Sequence, residues 1–193
     1  MCITIIQNMK LIKKNKIFSN EVFDVYKNDF SIKKKVIVKN YLSIQPKKKY
    51  NQKGGIMIIP IKNNKIGFMR VNYPIIKKYL FCFPQGFSDK EESLRLAALR
   101  EFKEETGYML DQKNIKFLAK FYPNPSLINS KITVYITENL IKKKRFKHNL
   151  DEIGVGKINF YSEKELISLI RKKNFDLTSL NALLFYFITK RKF

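Results

Sequence analysis

The chain has few of the residues that mark secreted or membrane proteins. Its 193 residues include only two cysteines, Cys2 and Cys82, which are too few for a disulfide framework. A reducing cytoplasm is therefore the expected location. No apolar run is long enough to span a bilayer, and the N-terminus places its apolar patch before its charges, the reverse of a secretory signal. There is no internal repeat, and the length suits one core with a small additional lobe.

Acidic residues and tryptophan are also scarce. The chain has 16 acidic against 39 basic residues, a net charge of +23, and no tryptophan. Such a field attracts phosphates and nucleic acids. The lysines are scattered and accompany many Ile, Asn, Phe and Tyr residues, all of which AT-rich codons encode. We attribute most of the charge to base composition, expect an anionic nucleotide as the partner, and keep RNA as an alternative.

A dense pattern of charged residues and glycine does stand out between Gly86 and Tyr108, GFSDKEESLRLAALREFKEETGY. It has the form G-x5-E-x7-R-E-U-x-E-E-x-G-U, in which U is apolar or aromatic. Seven positions demand one residue type, each with a background frequency of roughly one in fifteen. A chance match is therefore on the order of one in a million.

The second half of this pattern predicts a helix from Ser93 to Thr106, ended by Gly107 as a left-handed C-cap. Its apolar side, with Leu96, Leu99 and Phe102, is expected to be buried. The opposite side carries three glutamates, Glu101, Glu104 and Glu105. Close carboxylates repel one another, and Mg²⁺ removes that cost and bridges to phosphates. For such a run taken alone, the alternative is a solvated acidic face.

Further elements are predicted on both sides of this helix. Residues 17–42 alternate apolar and polar in a way that suits a hairpin or a small sheet, with a turn at Asn28–Asp29. A capping box at Ser162–Glu165 opens a helix through Arg171, and another helix runs from Thr178 to Lys190. Strands are predicted at Ile56–Ile61, Ile66–Val71, Leu80–Phe83, Ile115–Tyr122 and Ile132–Ile136. This order favours an α/β sandwich with a mixed sheet.

The pattern resembles the Nudix box, the signature of hydrolases that cleave nucleoside diphosphates linked to another moiety. The resemblance implies a Nudix-type α/β/α sandwich with a mixed sheet. Flanking segments, including IFSNEVFDVY, IMIIPI and FYPNPSLINSKITVYI with Pro123 and Pro125, resemble the ADP-ribose pyrophosphatase branch. We expect residues 1–50 to form a small N-terminal β extension suited to homodimerisation, and residues 51–193 to form the Nudix hydrolase domain.

The resemblance also implies a metal site. Glu101 and Glu105 match the principal metal ligands, Glu104 shares in the site, and the backbone carbonyl of Gln85 matches a further metal contact. Mg²⁺, with Mn²⁺ as an alternative, would then activate a water for in-line attack on one phosphorus.

Other positions match family residues around the substrate. Arg100, paired with Glu92, belongs to the catalytic set in an orienting role. Gly86 and Arg70 are the expected substrate-binding positions, although a surface arginine at a strand end is an equal alternative for Arg70. The general base in this branch often comes from an acidic loop, here Asp151 or Glu152, of which we favour Glu152.

Two further features bear on the substrate. An N-terminal aromatic residue commonly stacks on the adenine in this branch, but the sequence does not choose among Phe23, Tyr26, Phe30 and Tyr41. Cys82 stands where the branch usually carries a glutamate, and a buried thiol cannot replace that carboxylate. The lone His148 lies in a lysine-rich loop and is expected to have no chemical role.

The expected activity is Mg²⁺-dependent hydrolysis of the pyrophosphate bond of ADP-ribose or a related nucleoside diphosphate sugar. The products would be a nucleoside monophosphate and a sugar phosphate. One alternative is a pyrophosphohydrolase that acts on RNA 5′ ends or dinucleoside polyphosphates. Another is a non-catalytic module that binds nucleotides or RNA.

Overall fold

A computed structural model describes residues 9–47, 54–138, 140–142 and 157–190. The helices are α1 Leu94–Thr106, α2 Glu163–Lys172 and α3 Leu177–Lys190, with a short 3₁₀ turn at Gln112–Asn114. The strands are β1 Lys10–Ser19, β2 Phe23–Ile32, β3 Lys35–Pro46, β4 Gly55–Lys62, β5 Lys65–Tyr73, β6 Lys78–Cys82, β7 Gln85–Phe87, β8 Tyr108–Leu110, β9 Ile115–Phe121, β10 Ile132–Thr137, β11 Leu140–Lys142 and β12 Asn159–Tyr161. Within these ranges, no helix has the length and apolar character needed to cross a bilayer.

Strand β4 is the centre of the main sheet, whose strand order is β12-β5-β4-β10-β9. It pairs in parallel with β10 and antiparallel with β5 and β7. Successive strand residues face opposite sides, so Met57 and Ile59 pack toward α2 and α3, whereas Ile56 and Ile58 pack toward α1. Burial on both faces explains the continuous apolar run of β4. The predicted α/β/α sandwich with a mixed sheet is confirmed.

Both predicted ends of α1 are confirmed. The Ser93 hydroxyl accepts the backbone N–H of Leu96 (3.1 Å) as an N-cap. Gly107 has φ of 71° and donates its N–H to the carbonyl of Lys103 (2.9 Å). That left-handed conformation is the one in which glycine carries no steric penalty.

The buried side of α1 differs in part from the prediction. Leu96 is 46% exposed, whereas Ala97, Ala98 and Phe102 are fully buried against the sheet. Short alanine side chains allow the helix backbone to lie close to β4, and this close approach turns Leu96 outward. The predicted burial of Leu96 is therefore wrong, while that of Phe102 is confirmed.

The N-terminal strands β1, β2 and β3 form a separate antiparallel sheet. The turn predicted at Asn28–Asp29 is wrong, because both residues lie within β2 and the chain reverses at Lys33–Lys34 instead. Asn28 is buried, and its Nδ2 donates to the carbonyl of Tyr41 (3.0 Å) and to the hydroxyl of Ser43 (2.8 Å). These cross-strand bonds satisfy the amide that a turn would have exposed. The predicted domain boundary at residue 50 lies outside the described residues.

The N-terminal sheet joins the main domain along the loop that follows β9. Ile44 donates its N–H to the carbonyl of Leu127 (2.7 Å) and accepts the N–H of Asn129 (3.1 Å). The Tyr41 hydroxyl donates to the carbonyl of Ser126. These bonds bring the start of β2 beside β7 and α1.

The corner between β6 and β7 is held from two sides. The backbone N–H of Phe83 donates to the hydroxyl of Ser179 (2.9 Å), which in turn donates to the Asp176 carboxylate (3.0 Å) at the start of α3. On the other side, Pro84 accepts the N–H of Ile58 (3.0 Å). The start of β7 is therefore fixed by both α3 and β4.

Candidate active site

A cavity of about 830 Å³ opens between β2, β7, α1 and the start of α3. In the part of the chain that the structure describes, its charged lining consists of three acidic residues, Asp89, Glu101 and Glu105, and one basic residue, Arg100. The opposite wall is apolar and combines the aromatic ring of Phe23 with aliphatic side chains. The cavity therefore joins a polar end that can hold a cation to an apolar end that can hold a flat ring.

Strand β7 pairs with β4 along one edge and turns its other edge toward α1. The N–H of Gln85 donates to Oε2 of Glu105 (3.0 Å), and the carbonyl of Phe87 accepts from Nη2 of Arg100 (3.0 Å). In an antiparallel strand, the N–H and the carbonyl of one residue point to the same side. The Gln85 carbonyl, predicted as a metal contact, therefore also lies on the edge that faces α1.

Gly86 lies directly beneath the carboxylate of Glu101. A Cβ added at Gly86 would lie 2.5 Å from both Oε1 and Oε2 of Glu101. This approach requires glycine because any side chain would occupy the position of the carboxylate. Positive φ occurs at Gly54 and Gly107 but not at Gly86, so space and not backbone conformation selects the residue.

The Arg100 guanidinium connects two glutamates of α1, Glu101 and Glu104, with Glu92 in the loop before α1. Its Nε and Nη2 donate to the two carboxylate oxygens of Glu92 (3.1 and 2.9 Å). Its Nη1 donates to Oε1 of Glu101 (2.9 Å) and Oε2 of Glu104 (3.0 Å). Arginine suits this position because its planar fork makes several directed bonds at once. Arg100 and Glu92 are thus in direct contact, and their orienting role stays a prediction.

Replacing Glu92 with Gln is expected to lower the free energy of unfolding by about 1 kcal/mol at neutral pH. Burial disfavours the Glu92 charge, but hydrogen bonds from Arg100 and from the Asp89 N–H outweigh it and lower the pKa below its ordinary 4.5. A lowered folded-state pKa stabilises the fold above the unfolded pKa, and the contribution is lost as the pH falls through the folded value. Urea unfolding of both proteins at about pH 7 and about pH 3 should show a difference that shrinks in acid. A constant difference would contradict this.

The donors around the cavity fit a hard divalent cation. Two carboxylates of α1, Glu101 and Glu105, line it together with a β7 edge that carries the Gln85 carbonyl, so this donor set is all oxygen. Among the described residues, no three Asp, Glu, His or Cys side chains converge on one point as ligands. Mg²⁺ is commonly bound by only one or two carboxylates plus waters and substrate phosphates, which suits this arrangement. Glu104, with 42% of its side chain exposed, lies farther out.

Arg70 lies in a different cavity from the carboxylates. Met69 and Val71 pack under α1, so strand alternation turns Arg70 to the opposite face of the sheet. There its guanidinium stacks on the Tyr79 ring, 4.6 Å from the centroid. The structure thus does not bring Arg70 to the site formed by Glu101 and Glu105, and its contact with substrate phosphates stays a prediction.

Cys82 is a free, buried thiol that packs beneath α1. Burial raises its pKa to about 12, and the nearby carboxylates of Glu105 and Asp176 add to the effect. The Tyr73 hydroxyl and the Cys82 thiol form a hydrogen bond, and burial also raises the pKa of Tyr73. At neutral pH the thiol is protonated, so Cys82 acts as a core residue and does not replace the carboxylate expected at that position.

The structure separates the four aromatic candidates. Phe23 lines the cavity and meets Phe87 edge to face, with centroids 6.1 Å apart. Tyr26 is covered by Lys14, whose Nζ lies 4.1 Å from its centroid. Phe30 and Tyr41 pack against each other in a smaller cavity beyond β2.

Some predicted residues lie elsewhere or are not described. Pro123 lines the main cavity, whereas Pro125 lines the smaller one. The acidic-loop residues Asp151 and Glu152, and also His148, lie outside the described residues. The predicted role of Glu152 as the general base therefore stays a prediction.

Sequence reasoning missed the Ser179 and Asp176 contacts that hold the corner before β7. A signal was present in the sequence, because aspartate is one of the preferred residues at a helix N-cap. The carboxylate of Asp176 accepts both the N–H and the hydroxyl of Ser179 (3.0 Å each). What the pattern did not reveal is that the same hydroxyl accepts the N–H of Phe83. Thr178, which lines the cavity, was missed as well.

Comparisons with known proteins place the chain in one family. A family model described as NUDIX domain matches residues 53–182. The methanol dehydrogenase activator of Bacillus methanolicus is 30% identical over 135 residues, which cover 69% of this chain and 68% of that protein. The ADP-ribose pyrophosphatase of Bacillus subtilis (strain 168) is 27% identical over 165 residues, covering 85% of this chain and 84% of that protein.

Two further similarities agree. The ADP compounds hydrolase NudE of Escherichia coli (strain K12) is 27% identical over 135 residues, which cover 70% of this chain and 66% of that protein. A crystal structure of an ADP compounds hydrolase matches with a TM-score of 0.78 over 96% of each chain, at 19% identity. This last similarity concerns the fold.

Proposed function

The chain belongs to the NUDIX domain family and is a Nudix hydrolase, and on this premise we propose that it hydrolyses the pyrophosphate bond of ADP-ribose or a related nucleoside diphosphate sugar. Water is consumed, and a nucleoside monophosphate and a sugar phosphate are released. The observation that carries the proposal is one cavity that joins Glu101, Glu105 and the α1-facing edge of β7 to the aromatic ring of Phe23. Similarity to relatives named ADP-ribose pyrophosphatase and ADP compounds hydrolase supports the substrate class.

The proposed metal is Mg²⁺, with Mn²⁺ as a substitute, held by Glu101, Glu105 and the Gln85 carbonyl. A bound divalent cation neutralises phosphate charge and lowers the pKa of a coordinated water. The chain supplies the positioning: Gly86 leaves room for the Glu101 carboxylate, and the Gln85 N–H holds that of Glu105. Arg100 bonds to Glu101 and Glu104 and links them to Glu92 in the loop before α1 and to Phe87 at the end of β7.

Proton removal from the attacking water is assigned to Glu152, in accordance with the sequence-based prediction. Arg100 acts by orientation, because its donors are directed at carboxylates and at a backbone carbonyl. Glu104, being more exposed, contributes charge at the rim of the site.

Phe23 is the proposed platform for the nucleobase. Phe23→Ala is expected to raise the KM for ADP-ribose about tenfold with little change in kcat, because base–aromatic stacking contributes about 1–3 kcal/mol per base. Tyr26→Ala is the matched control, since the Tyr26 ring is covered by Lys14 and lies outside the cavity lining. Steady-state kinetics measure both variants. An equal rise in KM for the two would contradict the assignment.

We also propose that residues 1–50 form a β extension through which two protomers form a homodimer. All residues of β1 are exposed, and it is an edge strand of its sheet. Leu11, Ile12 and Phe18 on it are each more than half exposed, and an unpaired apolar edge favours association. Light scattering should give twice the chain mass, and Ile12→Lys/Phe18→Lys should give a monomer. A wild-type monomer at micromolar concentration would refute the dimer.

A substrate screen tests the proposed function. ADP-ribose, GDP-mannose, diadenosine polyphosphates and 5′-triphosphorylated RNA are incubated with Mg²⁺ or with EDTA, and products are separated by ion-exchange chromatography. We expect ADP-ribose to give AMP and ribose 5-phosphate only when metal is present. Hydrolysis of RNA ends with no action on ADP-ribose would overturn the proposal, as would turnover that persists in EDTA.

A further inference from the structure

A second cavity, of about 360 Å³, lies on the face of the sheet opposite α1. Five of its eight described lining residues are basic and none is acidic. The basic residues are Arg70, Lys77, Lys78, Lys172 and Lys173. We name this feature the basic cavity.

The fold assembles the basic cavity from three separate parts of the chain. Arg70 lies in β5, Lys78 begins β6, and Lys172 ends α2. The segment after α2 runs alongside β6, because Phe81 donates its N–H to the carbonyl of Asn174 (2.9 Å). This pairing brings residues that are distant in sequence to one site.

The composition of the chain alone does not explain this cluster. Lysine and arginine make up 39 of 193 residues, about one in five, but five of eight in the basic cavity. Among the described residues, the sixteen that line the active-site cavity include one basic residue and three acidic ones. The two cavities therefore have opposite electrostatic character, and base composition would have affected both alike.

Within the described residues, the five cations of the basic cavity form no ion pair with a carboxylate. Like charges that line one cavity repel one another, and a bound anion would reduce that cost. Arg70 is oriented by its stack on Tyr79, a ring that is itself 53% exposed. The cavity thus combines flexible lysine charges with one fixed guanidinium and an exposed aromatic ring.

The chemistry of the basic cavity favours an extended phosphate chain over a compact phosphate ion. The nearby end of α2 is its C-terminus, where Lys173 donates its N–H to the carbonyl of Leu169 (2.8 Å). A helix C-terminus repels anions, so the helix end supplies no N–H cradle for one phosphate. Lysine charges beside an exposed aromatic ring are instead typical of surfaces that follow a single strand of nucleic acid.

We propose that the basic cavity binds the phosphodiester backbone of a single-stranded nucleic acid, at a site separate from the active-site cavity. The strand is a ligand and not a substrate, because a phosphodiester backbone has no pyrophosphate bond. The proposal is independent of which nucleoside diphosphate compound the enzyme hydrolyses.

Salt-dependent binding tests the proposal. The probe is a fluorescein-labelled 12-nucleotide oligo(dT), followed by anisotropy in the wild type, in Lys78→Gln/Lys172→Gln and in the control Lys113→Gln/Lys116→Gln. Both variants lose two exposed charges, and only the first pair belongs to the basic cavity. For single strands, the slope of log K against log salt changes by about 0.7 per phosphate contact.

We expect Lys78→Gln/Lys172→Gln to bind about 25-fold more weakly at about 0.1 M salt, with a slope shallower by about 1.4, and the control to match the wild type. A second pair, Lys77→Gln/Lys173→Gln, should repeat the loss, and circular dichroism verifies the fold of each variant. Hydrolysis of the diphosphate substrate should be unchanged in all of them, which separates this result from any failure of the proposed function. A salt slope for Lys78→Gln/Lys172→Gln equal to that of the control Lys113→Gln/Lys116→Gln would overturn the proposal. Displacement of the probe by an equal phosphate concentration of inorganic tripolyphosphate would also overturn it.

Discussion

Glu105→Gln is expected to lower kcat by about 10²- to 10³-fold while the protein remains folded. Glu105 is 9% exposed, lines the active-site cavity and accepts the N–H of Gln85 through Oε2. A glutamine can still accept that N–H through its amide oxygen, so the local hydrogen bond survives. Its neutral oxygen binds a divalent cation far more weakly, so the electrostatic stabilisation of the reaction is lost.

The stability of this variant separates a catalytic role from a structural one. Removing one of several close carboxylates relieves repulsion, so urea unfolding of Glu105→Gln in EDTA should show no loss of stability. Glu104→Gln is the matched control, because Glu104 belongs to the same acidic run but has 42% of its side chain exposed. We expect its kcat to fall less than tenfold. Equal losses of kcat in the two variants would contradict the ranking of the ligands.

Gly86→Ala is the second substitution with a large expected effect. An added Cβ would lie 2.5 Å from both oxygens of the Glu101 carboxylate, which Arg100 holds at 2.9 Å. Either the carboxylate leaves Arg100 or β7 shifts, and both outcomes spoil the arrangement of oxygen donors. We expect kcat to fall about 10²-fold and the Mg²⁺ concentration for half-maximal activity to rise.

Gly67→Ala provides the contrast. There an added Cβ would meet a Phe160 ring carbon at 2.8 Å and the Ile158 side chain at 2.9 Å. This clash is in the core and is expected to lower the free energy of unfolding by about 1–3 kcal/mol. The Mg²⁺ dependence should stay that of the wild type. If Gly86→Ala shows wild-type Mg²⁺ dependence, Gly86 is not needed to make room for the Glu101 carboxylate.

Local signals in the sequence predicted the elements that depend on local chemistry. Ser93 and Gly107 mark the ends of α1 because capping involves only residues within one turn. The Nudix family was also correctly predicted from residues of the box, and the match over residues 53–182 confirms it. Burial of Leu96 could not be predicted in this way, since helical periodicity does not show which side lies against a sheet.

Long-range contacts explain the remaining differences. Asn28 has the composition of a turn residue, but its amide is satisfied by β3, which no local pattern records. Phe23 lines the cavity because the N-terminal sheet packs beside β7. This packing is a long-range contact, so the sequence does not distinguish Phe23 from the other three aromatic candidates. The side chain of Arg70 points away from α1 because Met69 and Val71, its neighbours in the strand, pack beneath that helix. The sequence alone does not show which face of the strand lies under α1.

The two-sided pairing of β7 also determines where the chain can tolerate a change in length. One residue inserted between Pro84 and Phe87 would exchange the backbone groups that face β4 with those that face α1. An insertion before Gln85 would move its N–H away from Glu105, and an insertion before Phe87 would move its carbonyl away from Arg100. A deletion there would have the same effect, although no side chain would be altered. Across homologous genes, insertions and deletions should therefore be excluded from these few codons and tolerated in the loop that follows them.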